Sequence, residues 1–217
     1  MPAATNTLGD MVSRVILELG IPSKITEVKL AITNAIYAYQ NDHFFFNEAT
    51  TSFNTVANQE YYGTADGVPS TLLKILALSM RQGTSPLSSP TVATMQEVDS
   101  IQAGLVTGLP FAYCYWDSQI RFYPIPDAVY TCKIVYIRSF TPPSLETSNG
   151  VWVTHGEGEK LIRAAAKRIF IQDNLEFFDP NKLAILMANE KAAYRELVGD
   201  TNDLKGTPRL RPSPYGV

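Results

Sequence analysis

The hydrophobic period changes twice along this chain, and that double switch restricts the folds open to it. Leu8, Met11, Val12, Val15, Ile16 and Leu19 recur at i, i+3, i+4 and i+7, the spacing of one helix face. Thr7 is placed to cap that helix, and Gly20 with Pro22 to stop it. A second helix is predicted from Ser23 to Asp42, burying Ile25, Val28, Ala31, Ile32, Ala35, Ile36 and Tyr39. The short connection makes the two an antiparallel pair.

From Thr50 to Phe140 the chain becomes rich in Thr, Tyr, Val, Ile and Phe, broken at intervals by Gly, Pro, Asn and Asp, which is a β signature. Strands are predicted at Thr50–Val56, Glu60–Tyr62, Leu72–Met80, Phe111–Trp116, Gln119–Tyr123 and Val129–Phe140. Asp117-Ser118 forms a tight hairpin, and Pro124 and Pro126 end the strand after it. A short helix is expected from Pro90 to Gln102, ended by Gly104. Residues 141–154 read as a loop. Helical spacing returns over Glu157–Asn174, with Leu161, Ile162, Ala165, Ile169 and Phe170 on one side. Asp179-Pro180 then supplies an N-cap and a first helical residue. That last helix is expected to reach Val198 and close at Gly199, with residues 201–217 extended after it.

The fold class expected is therefore α+β. A helical layer is made from the N-terminal pair (1–48) and the C-terminal pair (155–200). An antiparallel β-rich domain (49–154) is inserted between them, and an extended tail (201–217) follows. With 217 residues the chain can bury roughly 70% of its unfolded surface, so neither disulfides nor a metal are needed for stability.

Charge narrows the function. Only 18% of residues are charged against 45% hydrophobic, and the difference is made up by Tyr, Phe, Pro, Ser and Thr. Such a surface is cheap to desolvate and suits burial against partners. The net charge of −3 excludes a dedicated duplex-DNA binder held by a strongly basic face, unless the charge is locally segregated. The N-terminus lacks a basic, apolar leader pattern, and no apolar run is long enough to span a bilayer, so a soluble chain made in the cytoplasm is expected, with no membrane partner.

Chemistry-bearing residues are few. The two cysteines, Cys114 and Cys132, and two histidines, His43 and His155, are too scattered for a zinc site, and no cofactor motif occurs. Cys114 and Cys132 meet across a ladder or, more simply, fill the core as small apolar residues. His155, Glu157 and Glu159 stand close together; a general base or half a metal site is one reading, and a helix start with acids in its first turn is the plainer one. No catalytic or metal site is expected. Phe44, Phe45 and Phe46 read as a core hinge, one side on the helices and the other on the β domain, rather than as an exposed anchor. Lys160, Arg163 and Lys167 recur at i, i+3, i+7 with Arg168 beside them; this stripe is solvated, paired with acids of an adjacent subunit, or set against phosphates. The tail carries +2 against −5 for the rest of the chain. Leu204, Leu210 and Tyr215 offer apolar anchors there, and Arg209 and Arg211 offer forks for carboxylates, which suits a docking arm.

A series of short motifs runs through the β region. It comprises Ala57-Asn58-Gln59-Glu60-Tyr61, Gly108-Leu109-Pro110-Phe111-Ala112-Tyr113, Ile120 to Asp127 and Ile134-Val135-Tyr136. In order and spacing, from about Leu8 to Val198, the chain resembles the head-to-tail adaptor (tail accessory, head completion) family of tailed bacteriophages, of the short-tailed type. Members open with an amphipathic helix pair ending near an aromatic cluster and close with two helices and an extended tail. The Gly63–Pro69 stretch is longer than the turn usual there.

The resemblance implies a structural virion protein at the head-tail junction. It would form a ring of about twelve copies under the portal protein, joined below to a tail nozzle or tail tube protein. Double-stranded DNA would pass through the channel without sequence specificity. The tail sequence itself lies outside the resemblance; its own prolines, apolar anchors and arginines lead to the expectation that 201–217 docks on the portal or on neighbouring copies, and Lys160, Arg163 and Lys167 fit a face turned to DNA or to another subunit. Two rival readings are a tail-fibre or receptor-binding β module using Trp116 or Trp152 on sugars, and a cell-wall hydrolase, which requires a carboxylate pair.

Overall fold

Helix α1 (Leu8–Leu19) starts and stops on local chemistry. The Thr7 hydroxyl accepts the Asp10 N–H at 3.2 Å, and the Asp10 carboxylate accepts the Thr7 N–H at 3.0 Å. Gly20 takes the left-handed conformation (φ 71°), and its N–H donates to the Ile16 carbonyl at 2.9 Å. The computed structural model to which this helix belongs describes residues 7–87, 89–101, 106–148, 150, 152 and 156–204.

In chain order α2 (Ile25–Tyr39) is followed by β1 (Glu48–Asn54), β2 (Tyr61–Tyr62), β3 (Leu72–Gln82), β4 (Ser85–Pro86) and β5 (Thr91–Val92). Then come α3 (Met95–Ile101), β6 (Thr107–Gly108), β7 (Ala112–Trp116), β8 (Gln119–Tyr123), β9 (Ile125–Pro126) and β10 (Thr131–Arg138). Two long helices, α4 (Gly156–Asp173) and α5 (Pro180–Leu204), close the series. The fold is mixed α and β, with helices at both ends of the chain and β-sheets between them. Contacts group the chain into two units, one from residues 1–46 with 140–217 and one from 47–139.

In the helical unit α2 packs on α1 and α4, and α4 packs on α5, so the first and last parts of the chain share one core. Its centre is aromatic. The Trp152 ring meets Phe44 edge-on at 5.3 Å, Phe46 at 4.9 Å and Phe140 at 6.0 Å between centroids. A Cβ at Gly158 would lie 3.3 Å from both the Phe46 ring and the Trp152 carbonyl, so a side chain here would press these neighbours outward by a few tenths of an ångström, and glycine suits the close approach of α4.

The β unit holds two four-stranded sheets, in the orders β1-β10-β3-β4 and β2-β8-β7-β5, and a two-stranded pair of β6 with β9. Their core includes Phe53, Tyr62, Leu78, Met80, Ile120, Phe122 and Ile134. The β7–β8 hairpin turns on Asp117 and Ser118, both at positive φ, as the right-handed twist of a two-residue turn requires. Helix α3 lays Val98 against Ala112, Cys114 and Tyr123.

Several sequence expectations are corrected. The β unit is not wholly antiparallel, because β5–β7 and β6–β9 run parallel. The helix expected over Pro90–Gln102 is shorter: Thr91–Val92 is a strand, the helix covers Met95–Ile101, and Gly104 and Gln102 lie outside the described residues. Pro126 belongs to β9 instead of ending a strand. Ile25 is exposed at the start of α2. Phe44, Phe45 and Phe46 all join the helical core instead of dividing between two cores. Residues from Phe140 onward group with the helices.

The last helix does not close at Gly199. Thr201 is buried, its hydroxyl donates to the Leu197 carbonyl at 2.9 Å and accepts the Phe45 N–H at 3.3 Å. A mid-helix glycine costs about 1 kcal/mol, and the buried Thr201 and Leu197 outweigh it. Residues 201–204 are therefore helical, and Leu204 is the last residue of α5.

Replacing Trp152 by alanine is expected to destabilise the helical unit by about 3–5 kcal/mol. Replacing Leu175, which is 85% exposed, should cost no more than about 0.5 kcal/mol. Urea denaturation checks both; a Trp152→Ala cost near that of Leu175→Ala would show that the aromatic centre does not hold the unit together.

Candidate docking surfaces

The helical stripe singled out from sequence is already paired. Lys167 meets the Glu18 carboxylate at 2.6 Å and Arg163 meets it at 3.1 Å, which ties α4 to α1. Lys160 meets Glu196 at 2.8 Å, which ties α4 to α5. Glu159 is buried and lies 3.3 Å from Arg14 and 3.5 Å from Arg163. It is thus a first-turn acid of α4 that is buried between the cations of α1 and α4. His155 lies outside the described residues, as do Arg209, Leu210, Arg211 and Tyr215; of Leu204 only the backbone is placed.

Two polar clusters escaped the sequence reading. In the helical unit Arg168 pairs with the buried Glu190, which also accepts the Tyr39 hydroxyl proton at 2.6 Å. Burial and the neighbouring carboxylate push the Tyr39 hydroxyl well above the ordinary phenol range. The hydrogen bond to Glu190 holds the Arg168 guanidinium charged. A shallow cavity of about 600 Å³ opens beside this cluster, lined by Tyr39, Asp42, Met187, Lys191 and Tyr194 among others. In the β unit the buried Arg121 reaches Glu60 and Asp99 and lies over the Tyr61 ring. Burial works against its charge, and the two carboxylates outweigh that, raising its pKa. Nothing in the sequence spacing marks these groups, because their partners lie 22 to 151 residues away.

Cys114 and Cys132 are both free and buried, and they sit in different sheets, so they do not meet. Cys132 lies opposite Phe53 and Met80, and burial pushes its thiol up to about 12. Trp152 is buried in the helical core, so it cannot stack on a sugar; Trp116 is 69% exposed. Among the described residues no three His, Cys, Asp or Glu side chains gather as a metal site requires, and no helix is long and apolar enough to cross a membrane.

Large apolar groups nevertheless remain outside. Leu175, Phe178, Ile185 and Met187 are exposed around the start of α5, as are Val92, Phe111 and Trp116 in the β unit. Faces fixed by cross-helix ion pairs, combined with exposed apolar side chains, define a structural subunit that works through its surface. The chain belongs to the SU10 adaptor protein family, whose model matches residues 6–213. It is a head-to-tail adaptor, a structural virion protein located at the head-tail junction of a bacteriophage and engaging portal and tail components. No curated protein matches the chain.

The thiols provide a check on the β core. Between pH 9, the ordinary thiol value, and about 12, the unfolded chain ionises Cys132 while the native chain does not. The native state therefore loses stability from this group as pH rises through that window. At pH 8 a maleimide is expected to label neither cysteine until urea unfolds the chain; rapid labelling of Cys132 in native protein would contradict the burial.

Proposed function

We propose that about twelve copies of this chain form a ring beneath the portal, with the helical pairs acting as one layer and the β unit as an insertion into it. Double-stranded DNA passes through the ring on its way out, and a nozzle or tube protein binds below. The observation that carries this reading is the extent of the family match, which runs past the end of α5 to residue 213. The match thus takes in the basic, proline-bearing stretch with Arg209 and Arg211, where we place the docking arm. Leu204, Leu210 and Tyr215 are its proposed apolar anchors.

The Lys160, Arg163 and Lys167 face is read as a mixed-charge surface, turned to the channel or to a neighbouring subunit. Its cations face Glu18 and Glu196, so few counterions would be released on meeting phosphates. DNA then slides past without being gripped, which suits a passage that must empty.

Native mass measurement of the full chain, alone and with portal rings, tests the assembly. The expected result is monomer alone and about twelve copies per portal ring; a three-fold particle would overturn the ring and favour a fibre module. Glu18→Gln leaves Arg163 and Lys167 without that partner. This variant is expected to bind duplex DNA more tightly than the parent, with a salt dependence steeper by about one to two phosphates. Unchanged DNA affinity in filter binding would show that this face does not meet DNA.

A further inference from the structure

The β unit has an open seam. Strand β3 is paired along its length with β10 on one side, but on the other it meets β4 only at Arg81 and Gln82. The Leu87 N–H reaches the Met80 carbonyl at 2.9 Å, and from Leu73 to Ser79 no further strand lies on that side among the described residues. Strand β5 is likewise the last in its sheet. Thr91 and Ala93 donate to the Phe111 and Tyr113 carbonyls, so the N–H and C=O of Val92 between them point away from β7. Between these two edges runs a groove of about 650 Å³, lined by Leu73–Ser79, Thr91–Ala93, Tyr113 and Tyr115. Two strand edges and an apolar, tyrosine-bearing floor make a receptor for an extended segment.

The chain carries a segment with the matching pattern. After α5 ends at Leu204, thirteen residues remain, Lys205 to Val217. Their prolines, Pro208, Pro212 and Pro214, all fall on one parity. Laid as a strand, such a segment has every missing N–H on a single edge, and keeps the donors of Arg209, Arg211, Ser213 and Tyr215 on the other. The same parity puts Leu210 and the prolines on one face and the arginines on the opposite one. Prolines scattered over both parities would spoil both edges. A strand of this kind pairs with one neighbour and cannot recruit a second, which is how an arm avoids running on into a fibre. At about 3.3 Å per residue it spans roughly 43 Å, against about 23 Å for the seven residues of the β3 edge, so it can fill the seam and still bridge to its own helix.

The edge itself discourages the obvious alternative. Leu73 and Leu76 have no partner on β10, so β3 is bulged twice, and its regular outer run is confined to Ala77–Ser79. Bulges of this kind oppose pairing of β3 with the β3 of another copy. They leave room for a segment that contributes more side-chain packing than ladder.

We propose that residues 205–217 of one copy seat in the β3–β5 seam of a second copy, as an added strand with its proline-free edge toward β3. This rests on the ring reading above and names what the docking arm grips. Each subunit is then both donor and acceptor, a head-to-tail contact that closes when the ring closes.

The test uses full-length chains. Ala77→Cys places a thiol at the exposed edge of β3, and Leu210→Cys places one in the arm; the native cysteines are buried and stay silent. The two preparations are mixed with portal rings and treated with a short bis-maleimide. A covalent dimer is expected, at least about ten-fold more abundant than when Val56→Cys, exposed in the β unit away from the seam, replaces Ala77→Cys. Val92→Cys repeats the measurement from the opposite wall. Rings that assemble but do not cross-link from either wall overturn the seam and leave the ring reading intact. Chains that neither assemble nor cross-link remove both. Equal cross-linking from Val56→Cys, or linkage only within a single chain carrying both substitutions, also overturns the proposal.

Discussion

The packing of Phe44, Phe46 and Phe140 around the Trp152 ring is the constraint on which the helical unit depends. These four residues come from both sides of the β insertion, so neither helix pair has a complete core without the other. The ion pairs lie around this centre. Glu18, Glu159, Glu190 and Glu196 join α1, α4 and α5, or bind along α4, once the aromatic packing has brought the helices together. The more exposed of these pairs, those of Glu18 and Glu196, contribute little by themselves, roughly 0–1 kcal/mol each. Their value is directional, because they set which face of each helix is turned outward.

An adaptor has to present fixed surfaces to partners above and below, and this construction gives it two kinds. The helical unit offers faces whose charges are satisfied internally and whose apolar side chains, Leu175, Phe178, Ile185 and Met187, stay exposed. The β unit offers unpaired strand edges. Both can be buried against another protein without stranding a charge, which is where a low charged fraction has its physical use.

Much of the helical unit was legible in the sequence because its signals are local. The Thr7 cap, the Gly20 stop and the Asp179-Pro180 start depend on residues within four positions of each other. Misreadings arose where a tertiary contact overrides a local rule. Gly199 reads as a stop, yet Thr201, fixed by the Phe45 N–H, carries the helix onward. Two-residue strands such as β5, β6 and β9 have no period to detect, so the parallel pairings were invisible. The basic stripe was found by its spacing, but its partner Glu18 lies 145 and 149 residues away. Spacing within one helix cannot show that a charge is already spoken for.

The most direct test of this account is native-state hydrogen exchange on the isolated full-length chain. The shared core predicts that the slowest amides of α1, α2 and α4 open together with one free energy, and that Trp152→Ala lowers all of them by the same amount. The β unit, with its own core of Phe53, Tyr62 and Phe122, should keep its protection in that variant. If α1 and α2 instead open independently of α4, or keep their protection when Trp152 is gone, the two ends of the chain do not form one cooperative body and the account is wrong.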